Sequence, residues 1–325
     1  MKRVAVLTSG GDAPGMNAAI RGVTRTAIYY GLEVVGIRHG YHGMINNHFV
    51  SLKAHSVSDI LARGGTILKT ARSKEFMTEE GRKQAYDNLK NAGIDAVVVI
   101  GGDGSLTGAR VFCDEYFDIP FVGIPGTIDN DIFGTQYTLG FDTALNTVVE
   151  AIDKIRDTAS SHSRLFFVEV MGRDVGHIAL NAGVAAGAEE ILIPEQNLGL
   201  ERLLDSLKRS KKSGKSSSIV VVAEGDKTGK NVFELKEYVE THLPIYDVRV
   251  SVLGHIQRGG VPTAFDRVLA SRMGVKAVES ILNGKSNFMV GIMENEIVLT
   301  PIDEAIKGTT KIDRELIRVS DIMTV

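Results

Sequence analysis

Phe121-Val122-Gly123-Ile124 runs directly into Pro125-Gly126-Thr127-Ile128-Asp129-Asn130-Asp131. The first four residues form an apolar run of the length expected for a buried strand. The seven that follow make a polar, glycine-containing turn with two carboxylates two residues apart. Open α/β folds place their chemistry at such strand ends. Asp129 and Asp131 are therefore candidates for a base and a metal partner. The plainer reading of either is a turn residue bonding its own backbone, and for Asp131 that reading has equal weight.

The same layout occurs twice upstream. Arg3-Val4-Ala5-Val6-Leu7 reads as a buried strand, followed by Thr8-Ser9-Gly10-Gly11-Asp12 and a helix from about Met16 to Tyr30. Ala96-Val97-Val98-Val99-Ile100 is a further strand, and Gly101-Gly102-Asp103-Gly104-Ser105 follows it. Glycine lets the backbone approach a ligand closely, and the next helix offers free N–H groups and a positive dipole end to an anion. Two glycine turns and an acidic loop suggest one phosphate-rich ligand shared by three strand ends.

Further strands are expected at Leu165–Val170, Ile219–Ala223 and Val248–Leu253. Leu145, Val148, Val149, Ile152 and Ile155 recur at helical spacing, with Asp142 as the expected N-cap. Strands alternating with helices imply an α/β fold with mainly parallel sheets. The polar run Ser210-Lys211-Lys212-Ser213-Gly214-Lys215-Ser216-Ser217-Ser218 reads as a surface loop before a strand.

Composition narrows the function. At 325 residues and 43% hydrophobic, the chain has material for a large core and about two domains. A net charge of −3 argues against a nucleic-acid surface, so an acidic ligand must be met by local arginines. The lone Cys113 excludes an intrachain disulfide and reads as packing. Only four apolar residues run between Arg3 and Thr8, so no signal peptide is expected. No apolar run approaches the roughly 18 residues of a membrane helix, and a cytoplasmic location is the default.

Familiar phosphate motifs fail. Gly10 and Gly15 have Walker A spacing, but Met16-Asn17 stand where Lys-Ser/Thr is needed. Gly214-Lys215-Ser216 has the ending, but Arg209 occupies the first glycine position. Gly102-x-Gly104 is followed by Gly108, one residue too late for a dinucleotide fingerprint. The eight histidines show no metal-binding spacing.

Five segments together carry a resemblance: Ser9 to Asp12, Gly101 to Ser105, Pro125 to Asp131, Met171-Gly172-Arg173, and Gly254-His255-Ile256-Gln257-Arg258-Gly259-Gly260. In this order and spacing, over nearly the whole chain, they resemble the bacterial-type ATP-dependent 6-phosphofructokinase family. The resemblance implies transfer of the γ-phosphoryl of ATP to the 1-hydroxyl of fructose 6-phosphate with Mg²⁺, the committed step of glycolysis. It implies Asp129 as proton acceptor, with Thr127 and Arg173 beside it in the catalytic set, and Asp103 at the magnesium site. The structural alternative for Asp103 is a helix cap.

Gly11, Gly102, Gly104 and Ser105 resemble the nucleotide-phosphate cradle, with Arg72 and Ser73. Tyr41 is a further nucleotide contact by resemblance, although an aromatic between Gly40 and Gly43 suits packing equally. Thr127, Ile128, Asp129, Arg164, Met171, Gly172, Arg173, Glu224, Arg249, His255, Ile256, Gln257 and Arg258 resemble the sugar-phosphate site. Planar Arg forks suit phosphate. In the family, Arg164 and Arg249 reach the substrate from a neighbouring subunit, which implies a homo-oligomer, normally a tetramer, with shared active sites.

Pyrophosphate-using relatives carry Asp at the position of Gly104 and Lys at that of Gly126. Glycine at both favours ATP over a pyrophosphate-dependent enzyme, the main rival reading. A non-catalytic nucleotide or sugar-phosphate sensor is the rival of a different class, and it is disfavoured by the presence of Asp129 and Asp103.

The resemblance also implies an ADP effector site, with phosphoenolpyruvate as a second effector. Its residues would be Arg21-Gly22-Val23-Thr24-Arg25, Asp59, Arg156, Gly187-Ala188-Glu189, Ser213, Lys215, Ser216 and Ser217. Arg21 and Arg25 share a helix face, and a solvated face is the alternative. Ala54 replaces an Arg common in the family, and Ser213, Ser216 and Ser217 stand where Lys or His is usual. Fewer cations imply weak or absent ADP activation.

The expected architecture is two similar three-layer α/β lobes. The larger comprises residues 1–140 and 258–303 and binds Mg·ATP. The smaller comprises 141–257 and 304–325 and binds the sugar phosphate, with the reaction in the cleft.

Overall fold

The three strands that end in the glycine and acidic turns lie side by side. In the computed structural model, which describes residues 1–162, 164–196, 199–213 and 218–323, Arg3–Ser9 pairs in parallel with Ala96–Gly101, and Ala96–Gly101 with Phe121–Pro125. The register sets Ser9 opposite Gly101 and Gly101 opposite Pro125, so all three turns leave one edge of the sheet. The full order is Glu296–Pro301, Phe288–Met293, Phe121–Pro125, Ala96–Gly101, Arg3–Ser9, Glu33–Ile37, Phe49–Leu52. Only the two outermost strands run antiparallel to their neighbours.

Near-continuous apolar runs suit strands covered on both faces. Alternate residues point to opposite faces. Ala5, Leu7, Val97, Val99 and Phe121 enter a core with Tyr41, Leu89, Leu106, Phe112 and Cys113. Val4, Val6, Val98 and Ile100, equally buried, face the other way, where helices Met16–Tyr29 and Ala264–Leu282 pack on the sheet and on each other. These two helices meet at Gly22, where a Cβ would lie 3.3 Å from the Cα of Gly274.

The chain divides into two compact units, Met1–Thr143 with Arg258–Thr310, and Ala144–Gln257 with Lys311–Val325. Helix Ile302–Lys307 belongs to the first unit, because Ile302 and Ala305 sit in its core. The second unit has a parallel four-stranded sheet in the order Glu190–Leu192, Ser218–Ala223, Leu165–Val170, Val248–Val252. Helices Gly199–Lys212 and Val232–His242 bury Leu203, Leu207, Leu235 and Val239 against it. The α/β class is as the alternating signals imply, with sheets of unequal size.

Two local expectations are corrected. The helix Phe141–His162 begins one residue before Asp142, so Asp142 is in the first turn instead of at the N-cap. Its carboxylate accepts a hydrogen bond from the Thr263 hydroxyl. Ser210, Lys211 and Lys212 are the end of the helix Gly199–Lys212, not loop. Ser210 is buried and its Oγ lies 3.1 Å from that of Ser218, at the start of the next strand. Among the described residues no helix is long and apolar enough to cross a membrane.

Candidate functional site

Close backbone approach builds the glycine turns. A Cβ at Gly101 would lie 2.5 Å from both the Ser105 Oγ and the Ser9 carbonyl oxygen, so glycine is needed where the two strand ends converge. Gly102 then starts the helix Asp103–Glu115 without any side-chain cap. The first amides and the dipole of that helix remain available to an anion. Ser105 is buried and contributes through its turn. At Gly104, which is exposed, a Cβ would meet nothing within 4 Å.

Asp103 is half-buried in the first turn of that helix. Among the described residues no group of three His, Cys, Asp or Glu side chains could hold a metal ion. A single carboxylate beside an uncapped helix start suits a hard cation that takes most of its ligands from phosphate oxygens and water. It does not suit a cation caged by protein alone.

The acidic loop is held from both sides. Gly126 N donates to the Gly101 carbonyl (3.0 Å), and Leu139 N donates to that of Pro125 (2.9 Å). The Thr138 hydroxyl donates to the Thr127 carbonyl (2.6 Å), and Thr138 N donates to Asn130 Oδ1 (2.8 Å). Ile128 and Ile132 are buried and anchor the loop in the core. Asn130 takes a left-handed conformation, φ 54, which Asn tolerates better than most residues. Asp129 between these anchors is 2% exposed, and its N–H donates to Thr127 Oγ1 at 3.2 Å. Asp131 is half-buried.

The nucleotide candidates divide. Arg72 is exposed and Ser73 half-buried, with Ser73 Oγ accepting from Phe76 N. Tyr41 is only 6% exposed, stacks on Phe76 at 4.1 Å between centroids, and donates its hydroxyl to the Ser105 carbonyl. That placement favours packing, with Tyr41 bracing the start of the helix Asp103–Glu115. Arg258 belongs to the first unit. Its guanidinium lies 2.7 Å from where a Cβ on Gly11 would stand and donates to the Asp12 carbonyl at 3.4 Å. The structure thus places this arginine at the first glycine turn.

In the second unit, the strand Leu165–Val170 ends in the turn Met171-Gly172-Arg173. The turn is fixed from outside. Glu224 Oε1 accepts from Gly172 N (3.1 Å) and Arg173 N (2.7 Å), and the fully buried Gln257 accepts from Met171 N (3.2 Å). Arg173 is itself left-handed, φ 53. Glu169, on the same strand, has its carboxyl pushed upward by burial and by the charge of Glu224. His255 and Ile256 are exposed in the turn Gly254–Arg258.

Arg164 Nε and Arg249 Nη2 both donate to Asp247 Oδ2, at 2.8 and 3.1 Å. The Arg164 hydrogen bond, with Arg249 behind it, holds the Asp247 carboxyl below its ordinary value. Sequence reasoning missed Asp247. The local pattern Asp247-x-Arg249 at the strand start gave no sign that Arg164, 83 residues away, would share the carboxylate.

The effector candidates are partly internal. Gly22, Val23 and Thr24 are buried against the helix Ala264–Leu282, while Arg21 is half-buried and Arg25 exposed. Asp59 is exposed and left-handed. Arg156 donates to the carbonyls of Ala186 (2.6 Å) and Gly187 (2.9 Å) and lies 3.9 Å from the buried Glu189. Ala188 is buried between them in sequence. Ser213 is exposed and turns its hydroxyl back to the Ser210 carbonyl. Lys215, Ser216 and Ser217 lie outside the described residues.

A second missed residue is Asp266. It is fully buried and receives three hydrogen bonds from Gly140 and Thr143. Burial nonetheless raises its carboxyl above the ordinary value. The only sequence signal was the pattern Thr263-x-x-Asp266, which reads as a helix start.

The chain as a whole is similar to known proteins. A family model described as phosphofructokinase matches residues 3–281. The chain is 56% identical over 319 residues to ATP-dependent 6-phosphofructokinase 2 of Bacteroides thetaiotaomicron, covering 98% of this chain and 97% of that one. It is 55% identical over 323 residues to ATP-dependent 6-phosphofructokinase 1 of Thermus thermophilus, covering 99% of each. Among solved structures, phosphofructokinase from Saccharomyces cerevisiae matches with a TM-score of 0.91 at 38% identity. That match covers all of this chain and 48% of the yeast chain, so the chain spans about half the yeast protein's length.

Proposed function

We propose how this chain, which belongs to the phosphofructokinase family, carries out its reaction. The reaction is transfer of the γ-phosphoryl of ATP to the 1-hydroxyl of fructose 6-phosphate, giving fructose 1,6-bisphosphate and ADP. Donor and acceptor follow from relatives more than 50% identical along the whole chain. The residue roles rest on one observation: three turns leave adjacent parallel strands in register, and the third holds a buried carboxylate on a doubly anchored loop.

Phosphoryl transfer asks for positioning and charge neutralisation more than for covalent chemistry. Asp129 orients the sugar 1-hydroxyl and accepts its proton as the new O–P bond forms and the bond from the γ-phosphorus to the β,γ-bridging oxygen breaks. Gly102 and Gly104 leave room for the nucleotide phosphates, Gly11 brings its backbone to them while admitting the Arg258 guanidinium, and the uncapped helix at Asp103 gives their charge a positive dipole end. Asp103 would hold Mg²⁺, which when bound neutralises charge on the transferred group. Arg258, standing at the Gly11 turn, binds the sugar phosphate beside the nucleotide phosphates. Arg72 and Ser73 serve the nucleotide from the adjacent segment.

Arg164, Arg173, Arg249 and His255 bind the sugar phosphate, and Arg173 stabilises charge in the transition state. Glu224 and Gln257 act by shaping the Met171–Arg173 turn. We read the assembly as a cytoplasmic homo-oligomer, a tetramer with shared active sites.

ADP activation is weak on this reading. Ala54 removes one cation, and the Arg156 guanidinium is committed to backbone carbonyls. A strong shift of sugar-phosphate half-saturation by millimolar ADP would overturn this. The main test is a coupled assay with fructose 6-phosphate and Mg²⁺, offering ATP and pyrophosphate in parallel. Product with ATP alone is expected, and product with pyrophosphate alone would refute the donor assignment.

A further inference from the structure

Asp266 is 0% exposed. Its Oδ1 accepts from Gly140 N at 2.9 Å, and its Oδ2 accepts from Thr143 N at 2.9 Å and from the Thr143 hydroxyl at 2.5 Å. Gly140 ends the segment that lies along the acidic loop. That segment reaches the loop through Thr138, bonded to the Thr127 carbonyl and the Asn130 side chain, and through Leu139, bonded to the Pro125 carbonyl. On its other side Gly140 packs on the first glycine turn, where its Cβ would stand 2.8 Å from Ala13 Cβ and 3.0 Å from Pro14 Cδ. A Cβ on Gly15 would lie 3.6 Å from Asp266 Cβ. The carboxylate therefore sits where the first glycine turn and the acidic loop meet.

A helix cap alone does not account for this. The start of the helix Ala264–Leu282 is already capped by the Thr263 hydroxyl, which accepts from Asp266 N. The Asp266 side chain instead reaches residues 123 and 126 positions away.

We propose that Asp266 is a positioning residue for phosphoryl transfer: its buried carboxylate fixes the Thr138–Gly140 segment and, through that segment, the placement of Asp129. The inference rests on the reading of Asp129 as proton acceptor. Three donors face the carboxylate, so only an acceptor with two oxygens satisfies them. Asparagine would set an NH₂ group against a backbone N–H and push the segment away. A displacement of about 1 Å at a reacting group costs roughly 10²-fold in rate.

The test is a double-mutant cycle. Asp266→Asn is made alone and together with Asp129→Ser, thermal melts confirm folding, and kcat and KM are measured for ATP and fructose 6-phosphate. Alone, Asp266→Asn should lower kcat about 10- to 100-fold with KM changed less than about 3-fold. In the Asp129→Ser background it should change kcat less than about 2-fold, because the group it positions is gone. Thr138→Val, which breaks the next link, should show the same pattern, and it carries the test if Asp266→Asn does not fold. Equal losses in both backgrounds, or no loss of kcat, would overturn the positioning role while leaving Asp129 as the base. Full turnover by Asp129→Ser alone would overturn both.

Discussion

Replacing Gly104 with Asp separates two effects of opposite sign. The position is exposed in the first turn of a helix, and a Cβ there meets nothing within 4 Å. The fold should accept the side chain. Exchanging glycine for Asp in a helix gains only about 0.2 kcal/mol in propensity, and an acid near a helix N-terminus gains about 0.3–1 kcal/mol. Repulsion from neighbouring Asp103 offsets part of this, so stability should stay level or rise slightly. Binding of ATP should suffer. A carboxylate about 5 Å from a nucleotide phosphate costs roughly 3 kcal/mol at an effective dielectric of 20 and roughly 0.8 kcal/mol in bulk water. Because the site is exposed, the value falls between these limits, a loss of roughly 4- to 200-fold in kcat/KM for ATP. Gly104→Asn has nearly the same shape without the charge. In a coupled assay at saturating fructose 6-phosphate, the Asp variant should lose much more than the Asn variant. Raising salt from about 0.05 to about 0.5 M should shrink the gap by screening. Equal losses for Asp and Asn, or a loss indifferent to salt, would refute an electrostatic conflict with bound phosphate. No loss at all would remove Gly104 from the nucleotide site.

Other expectations follow from single groups. Asp129→Ser should lower kcat about 10²–10⁴-fold, the usual worth of a positioned base, with substrate binding nearly unchanged by equilibrium titration. Parallel losses in binding and turnover would instead indicate a folding defect. Cys113 is buried, and burial pushes its thiol up to about 12. A thiol-reactive chromophore at pH 8 should therefore find no reactive group in the native chain and one in denaturant, and rapid native labelling would contradict this packing. Asp247, held below its ordinary value chiefly by Arg164, should stabilise the fold above the ordinary carboxylate value of 3.8. That contribution is lost as pH falls through the depressed value. Asp247→Asn should thus differ most from the parent near neutrality, and in melts the difference should shrink as pH falls below that ordinary value. A constant difference across that range would sink the linkage.

The strands were legible because burial on both faces writes itself as unbroken apolar runs. Ala96–Ile100 and Leu165–Val170 need no partner to be recognised, and their neighbours in the sheet add only a residue or so at their ends. The glycine turns were legible for a similar reason. Gly101 is excluded from carrying a side chain by Ser105, four residues on, and by Ser9 on the adjacent strand. Tyr41 shows the limit of such local reasoning. Its flanking glycines fit a ligand contact and a packed ring equally, and only the Phe76 ring and the Ser105 carbonyl favour packing.

The groups that escaped the sequence are polar residues whose partners are remote. Hydrophobic pattern has a period, so one helix or strand announces its buried face by itself. A buried carboxylate has no period. It is tolerated wherever the fold happens to bring enough donors to it, and those donors can come from any distance along the chain. Asp266 looks locally like the acid of a helix start, Asp247 like a surface acid beside Arg249, and Arg82 like one more charge on a polar helix. Each is defined by a distant partner: Gly140 and Thr143 for Asp266, Arg164 for Asp247, and Glu115, bound through two guanidinium nitrogens, for Arg82. The Asp266 ties reach the segment beside the acidic loop, while those of Asp247 and Arg82 join elements remote in sequence. The candidate site residues were therefore easier to find in the sequence than the buried polar residues that brace the scaffold.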